Sequence, residues 1–338
     1  MIREVTSREA WDEFVLAQAP NTFLHTWEWG QSQQADGEGL QYLGIFSDAG
    51  EQLAAALVLT IHAKRGIHYL IPHGPTMAAG VDPAEVLAEL IAYLQPLAAA
   101  DGALALRVAP LLESTDASQA VFKELGFKPA PLHVHAELTW VLDIPQSDDA
   151  LLDGMRKTTR HAVKKAMNDG VATSIIPASE ILDRFWPLYE GTGSRHGFVL
   201  YPRELIAEQL TQFADNDRVF GAVAQHGGKD VAAAIVFQYG QTCFYYHGAS
   251  IQVERMSPTQ LLQFEAIREA RRRGATTYNF WGIAPDDQPN HPFAGITVFK
   301  KGFGGHAIDY MHAQDLPLAF GYKRLWLIEQ WRRWRRGF

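Results

Sequence analysis

A single cysteine, Cys243, stands in the 338 residues. One thiol builds neither an internal disulfide framework nor a cysteine-rich metal site, so a reducing, cytoplasmic setting is the expectation. Long apolar runs are also missing. None approaches the roughly 18 residues needed to span a bilayer. Residues 1–14 are charged and polar where a signal peptide would carry an apolar segment. The 13 histidines include no H-E-x-x-H or similar ligand spacing, which argues against a metal site. No Ser-His-Asp, Cys-His or paired-glutamate arrangement stands out to suggest covalent or paired-carboxylate catalysis. The net charge of −8 argues against wholesale coating of nucleic acid, although positive charge is clustered at 156–165, 268–273 and 332–336.

What remains is an ordinary globular composition, 47% apolar and 20% charged, on a length that suggests two domains. Residues 7–19 read as a short amphipathic helix with Trp11, Phe14 and Val15 on one face. Strands are expected at 41–46, 52–61 and 68–71, the first two joined by the turn Asp48-Ala49-Gly50. Asp82 and Pro83 open a helix as N-cap and first helical residue, and Gly102 closes it. A strand at 104–108, a short helix ending at Leu125-Gly126 and a strand at 133–142 follow.

The second half repeats this order. Residues 52–58 match 230–236, His73-Gly74 matches His247-Gly248, Gly102 matches Gly274, and 122–127 match 299–303. Four features in one order, all roughly 175 residues apart, indicate two copies of one α/β unit. Each copy is expected to hold a mostly antiparallel sheet with a helix after a central strand.

The stretch 278–305 draws most attention. A short strand, 278–281, turns at Gly282 into a polar loop containing Asp286, Asp287, Pro289, Asn290, His291 and Pro292. It closes with Phe299-Lys300-Lys301-Gly302-Phe303-Gly304-Gly305, where glycines leave backbone open to a ligand. The same residues also suit a surface hairpin with two solvated lysines.

The order of elements in each unit resembles the Gcn5-related N-acetyltransferase fold. Enzymes of that fold hold the coenzyme A pyrophosphate on a glycine-rich loop at a helix start. The equivalent loops here, 74–80 and 250–257, lack the Gln/Arg-x-x-Gly-x-Gly arrangement, so another acyl donor is expected.

Nearly the whole chain resembles the Fem-type peptidoglycan bridge-forming aminoacyltransferases. Residues 22–31, with Trp27 and Trp29, look like the family's N-terminal Trp motif. Residues 155–166 look like its basic helix, and 245–250 look like its central strand and loop. Residues 299–305 look like its C-terminal signature, the most specific of the four. The resemblance implies an α/β (α+β) chain of tandem, duplicated acetyltransferase-like domains with mixed, mostly antiparallel sheets flanked by helices. The domains would be 1–146 with a returning 315–338, and 147–314, in the short form without a helical arm. It also implies transfer of an amino acid from aminoacyl-tRNA, as co-substrate and without a further cofactor. The acceptor would be the side-chain amine of the third stem-peptide residue of a UDP-linked or lipid-linked muramyl pentapeptide. A cytoplasmic monomer, working at the inner face of the membrane, would fit. Three positions depart from the family pattern. Gln33 stands where a phosphate-holding lysine is found, and Ala109 and Asn279 each stand where an aspartate is found.

On this resemblance, Lys300 would stabilise the oxyanion and the departing ribose oxygen, a role worth on the order of 10²–10³ in rate. Phe299 would pack the pocket and exclude water, and Lys301 would be the solvated neighbour. Trp29 and Gln33 would line the acceptor groove. Tyr245 and Tyr246 would contact the precursor or pack the core. Arg195 and Arg203 could clamp phosphates. Cys243 is read as inert, and His133 and His135 as packing along a strand. The cations of 156–165 and Arg271, Arg272 and Arg273 suit either tRNA phosphates or solvent. In 323–336, Trp326, Trp331 and Trp334 beside Arg332, Arg333, Arg335 and Arg336 suit packing on the first domain, or a membrane surface. Two other functions stay open: an acyl-coenzyme A-dependent N-acyltransferase, and a non-catalytic protein that binds precursor or tRNA.

Overall fold

The computed structural model describes residues 1–254 and 256–336, with Arg336 described by its backbone alone. Arg255 of the 250–257 loop lies outside the described residues. So do Gly337 and Phe338 at the end of the 315–338 segment, and so does the Arg336 side chain of the C-terminal arginine cluster. In chain order the elements begin with β1 (Ile2–Glu4), α1 (Arg8–Leu16), α2 (Trp27–Ala35), β2 (Gly39–Phe46), β3 (Gln52–Ala63), β4 (Gly66–Pro72) and β5 (Thr76–Met77). Then come α3 (Pro83–Asp101), β6 (Ala103–Ala109), α4 (Asp116–Glu124), β7 (Lys128–Pro129) and β8 (Leu138–Asp143). Next are α5 (Asp148–Gly154), α6 (Lys157–Asn168), β9 (Ala172–Ile176), α7 (Ala178–His196) and α8 (Arg203–Ala214). The rest are β10 (Val219–His226), β11 (Lys229–Tyr239), β12 (Thr242–Ser250), α9 (Pro258–Arg272), β13 (Thr277–Gly282), α10 (Ala294–Lys301), β14 (His306–Asp309), β15 (Gln314–Pro317) and α11 (Tyr322–Arg336).

Two compact units result. One holds Met1–Leu138 and the chain from Asp309 on; the other holds Thr139–Ile308. The first unit's sheet has the order β1-β2-β3-β4-β6-β15-β7, with β5 alongside β3. The second unit's sheet, read from its far edge, runs β9-β10-β11-β12-β13-β8-β14. The two orders match place for place. In each, the parallel pair is internal, β4 with β6 and β12 with β13, and a long helix, α3 or α9, makes the crossover. The strands before it are antiparallel hairpins. The sixth place is filled by β15 in the first sheet and by β8 in the second.

The repeat seen in the sequence falls on equivalent elements. Residues 52–58 lie in β3 and 230–236 in β11; Phe122 lies in α4 and Phe299 in α10. Gly102 and Gly274 end α3 and α9 with φ of 69° and 83°, the left-handed conformation that favours glycine at a helix end. The alanines of β3 (Ala54, Ala55, Ala56) and β11 (Ala232, Ala233, Ala234) are fully buried, and both runs sit in the middle of their sheets. Helix α3 starts where Asp82 accepts a hydrogen bond from Ala84 N at 2.9 Å. It turns Val86, Leu87, Leu90 and Leu94 toward β2, β3 and β4. In a core packed this closely, losing one such leucine costs about 2–5 kcal/mol.

The strand expected at 133–142 is shorter. Only Leu138–Asp143 forms β8, antiparallel to β13, so it belongs to the second sheet. Glu137 accepts from Tyr310 N at 2.9 Å through its carbonyl and from Ala313 N at 3.1 Å through its side chain, which also pairs with His312 at 2.8 Å.

The chain after Asp309 is held firmly in the first unit. Strand β15 pairs with both β6 and β7. Beneath α11, Arg107 makes a bidentate pair with Asp315 (2.6 and 2.8 Å) and a 2.7 Å bond to Glu329, which also binds Arg65 at 2.5 Å. Arg107, Asp315 and Glu329 are all buried. Burial alone would raise the Glu329 pKa, but Arg107 and Arg65 hold it below the usual carboxylate range.

Candidate functional site

The second sheet opens at its parallel pair. Strands β12 and β13 are bonded only from Thr242 to Phe244 against Thr277 to Asn279. Beyond that point both strands bulge. On β12 the register slips between Ile235 and Val236, leaving Tyr246 as the extra residue; on β13 it slips against β8 between Asn279 and Gly282. In the first unit the corresponding ladder has one irregularity near its start, between Ile67 and Tyr69, and then runs to the strand ends, Pro72 against Ala109. The opening is therefore a property of the second unit.

Its wall on the β13 side rests on one unusual residue. Trp281 has φ of 69°, a conformation that a bulky side chain seldom adopts. Asn279 holds it there by accepting a hydrogen bond from Trp281 N at 2.7 Å. The indole then stands edge-on to Tyr246, centroids 5.6 Å apart, and to Phe244 at 6.2 Å.

Helix α10 closes behind this strand end. The stretch 294–301 is helical, not one side of a hairpin, so Thr297 and Lys300, three residues apart, share a face. Thr297 Oγ1 accepts from Ala284 N at 2.7 Å, and Lys300 Nζ donates to the Gly282 carbonyl at 2.6 Å. Lys300 is buried, which brings its pKa down from 10.5 to about 7. The shift brings deprotonation of Lys300 within reach near neutrality. Phe299 is half-buried and packs edge-on against Phe303 at 5.3 Å. Lys301, expected in solvent, is instead partly buried. It pairs with Asp286 and lies 5.2 Å over the Trp140 ring, while Trp140 Nε1 donates to Gly304 O at 2.7 Å. The Gly302 carbonyl accepts from Arg156 N at 2.9 Å, which ties the start of the basic helix α6 to this stretch.

On the β12 side, Tyr246 and His247 stack edge-on at 4.4 Å. Tyr189 and Phe185 of α7 and Tyr201 of the following turn lie within 6.2 Å of the His247 ring. Burial lowers the His247 pKa to about 3, so the imidazole is neutral, and its Nε2 has no hydrogen-bond partner. Tyr245 points to the other face, into the core with α9, and burial pushes its hydroxyl up to about 12. Cys243 is buried beside it, its thiol likewise raised to about 12 and so unreactive.

Arg195 is exposed at the end of α7 and donates to His196. Arg203 opens α8 and pairs with Asp183 at 2.5 Å. In the first unit, Trp29 is buried edge-on against Phe23 (5.5 Å) and near His135 (6.3 Å), while Gln33, one turn on, is half-buried. His135 is not part of a strand; it lies 5.5 Å from His73. Arg271, Arg272 and Arg273 are engaged with Asp148, Glu269 and Asp217, and the expected tRNA contact would compete with those pairs. Among the described residues no group of three or more potential ligands is placed to hold a metal. Asn279 and His247 stand out in the sequence as a departure from the family pattern and as part of the repeat; Trp281 does not, because a bulge and a positive φ leave no periodic signal.

A duplicated unit with an internal parallel pair, opened at the second copy, is a tandem fold of the Gcn5-related acetyltransferase type. A crystallised tandem protein of that type from the clavulanic acid biosynthesis pathway superposes with a TM-score of 0.55 at 14% identity, over 94% of this chain and 99% of that one. The chain belongs to the FemAB family, whose pattern matches residues 6–224 and 206–324, and it is an aminoacyltransferase of peptidoglycan bridge formation. The crystal structure of FemX superposes with a TM-score of 0.84 at 20% identity, covering 98% of this chain and 100% of that one. The Lipid II:glycine glycyltransferase of Staphylococcus aureus (strain USA300) is 22% identical over 93% of this chain and 92% of its own.

Proposed function

We propose that the protein transfers an amino acid from aminoacyl-tRNA to the side-chain amine of the third stem-peptide residue of a lipid-linked muramyl pentapeptide. The observation that carries this reading is the buried Lys300 at the opened end of β13, in a chain of this family. The acceptor amine, once neutral, attacks the ester carbonyl and forms the C–N bond. Lys300 as ammonium stabilises the oxyanion. As the tetrahedral centre collapses and the C–O bond breaks, that ammonium gives its proton to the departing ribose oxygen. The amine form so produced takes the proton that the new amide nitrogen sheds, which returns Lys300 to its starting state. Phe299 and Trp281 keep water from an ester that hydrolyses readily.

Aminoacyl-tRNA is favoured over acyl-coenzyme A as donor because residues 251–257 contain no glycine and α9 begins at Pro258, which has no N–H to offer a pyrophosphate. A lipid-linked acceptor is favoured by the relative named for Lipid II, and it would set the reaction at the inner membrane face. The test is label transfer from aminoacyl-tRNA to lipid-linked and to UDP-linked pentapeptide, side by side. Transfer from acetyl-coenzyme A alone would overturn the reading.

A further inference from the structure

Helix α11 has two faces, and the transfer chemistry uses neither. Its inner face is fixed: Tyr322, Leu325 and Glu329 are buried, the last between Arg65 and Arg107. Its outer face is apolar where a surface helix would be polar. Leu327, Trp331 and Trp334, four and three residues apart, form one stripe and are 62%, 55% and 80% exposed. Phe320, just before the helix, is fully exposed. Cations border the stripe, Arg324 and Arg335 on one side and Lys323 and Arg333 on the other, by helical position. The helix has one acidic residue, Glu329, and it faces inward, while the whole chain carries a net charge of −8. Beside the helix, against β7 and β15, lies a cavity of about 930 Å³ whose lining includes Lys128, His312, Phe320, Trp326, Leu327 and Arg333. Only Trp326 of the three tryptophans packs inward, with Leu104 and Leu325. The packing expected for all three holds for one.

We propose that α11 docks the first unit on an anionic bilayer. Leu327, Trp331 and Trp334 enter the boundary between headgroups and acyl chains, and the flanking cations meet lipid phosphates. The aliphatic stems of those cations cover apolar surface while their charges stay at headgroup level. An RNA backbone would satisfy the same cations but leave the Leu-Trp-Trp stripe in water, so the stripe decides for a bilayer. The surface stands on its own observations, whichever donor and acceptor the second unit takes.

The test is cosedimentation of the full chain with large vesicles, phosphatidylglycerol mixed with phosphatidylcholine against phosphatidylcholine alone. Wild type is expected to pellet with the anionic vesicles and to stay in solution with the neutral ones. Trp331→Ser with Trp334→Ser, and separately Arg324→Glu with Arg335→Glu, should each weaken apparent affinity by about 10-fold or more. Both pairs should leave the thermal midpoint unchanged, since these side chains are outward. Wild type remaining in solution with anionic vesicles at low salt overturns the proposal. So does a tryptophan variant that pellets as well as wild type, or retention on an RNA oligonucleotide in place of vesicles.

Discussion

Lys300 Nζ donates to the Gly282 carbonyl at 2.6 Å, just past the point where β12 and β13 part. The contact joins the family's C-terminal signature to the opening in the sheet. In the proposed mechanism Lys300 acts on charge that develops during reaction, so Lys300→Met should lower kcat by about 10²–10³ with little change in KM. Lys300→Arg keeps the cation but cannot release its proton, so it should recover only part of the loss. Steady-state kinetics on the three forms checks this.

The same residue gives a pH-dependent stability of known sign. The unfolded lysine has a pKa of 10.5 and the folded one about 7. Below pH 7 both states are protonated and the buried ammonium costs its full amount. Between 7 and 10.5 the unfolded chain binds a proton that the folded chain does not, so stability rises with pH. Each pH unit of displacement corresponds to about 1.4 kcal/mol. Lys300→Met should therefore stabilise by a few kcal/mol more at pH 6 than at pH 10. Denaturant unfolding at the two pH values reads the difference, and an equal effect at both would contradict it.

Gly248 is where the bulged strand β12 has no room for a side chain. A Cβ there would lie 1.8 Å from the Tyr245 hydroxyl oxygen and 2.5 Å from its ring carbon. Gly248→Ala should displace the Tyr245 ring and cost about 1–3 kcal/mol. Adding Tyr245→Phe removes the closest clash and should restore part of the stability. A double-mutant cycle by thermal unfolding measures that coupling.

The pair Arg107–Asp315 holds the C-terminal strand to the first unit. Arg107→Met would leave two buried carboxylates, Asp315 and Glu329, without their main counter-charge. The expected cost is about 3–5 kcal/mol. Circular dichroism should show a lower thermal midpoint, and limited proteolysis should cut near α11 first.

The duplication was legible because its markers are local and repeated: apolar runs at 52–58 and 230–236, and helix-ending glycines at 102 and 274. Asp82 and Pro83 announced α3 for the same reason. What escaped was set by pairing and not by pattern. Of the strand expected at 133–142 only 138–143 forms, and Glu137 just before it is tied to His312. Helix 294–301 was hidden because its first turn follows a polar, proline-containing loop. Trp281 and Asn279 form the wall of the opening through a positive φ and one side-chain hydrogen bond, neither of which a sequence displays. Lys300 was found through the family signature; its burial and its carbonyl partner were not foreseen.

The most direct measurement is a donor competition with the purified chain and a lipid-linked muramyl pentapeptide. Labelled aminoacyl-tRNA and labelled acetyl-coenzyme A are offered in parallel to wild type and to Lys300→Met. The account predicts label on the third-residue side chain from aminoacyl-tRNA only, falling by about 10² or more in the variant. Label from acetyl-coenzyme A, or tRNA-dependent transfer that survives loss of Lys300, would contradict it.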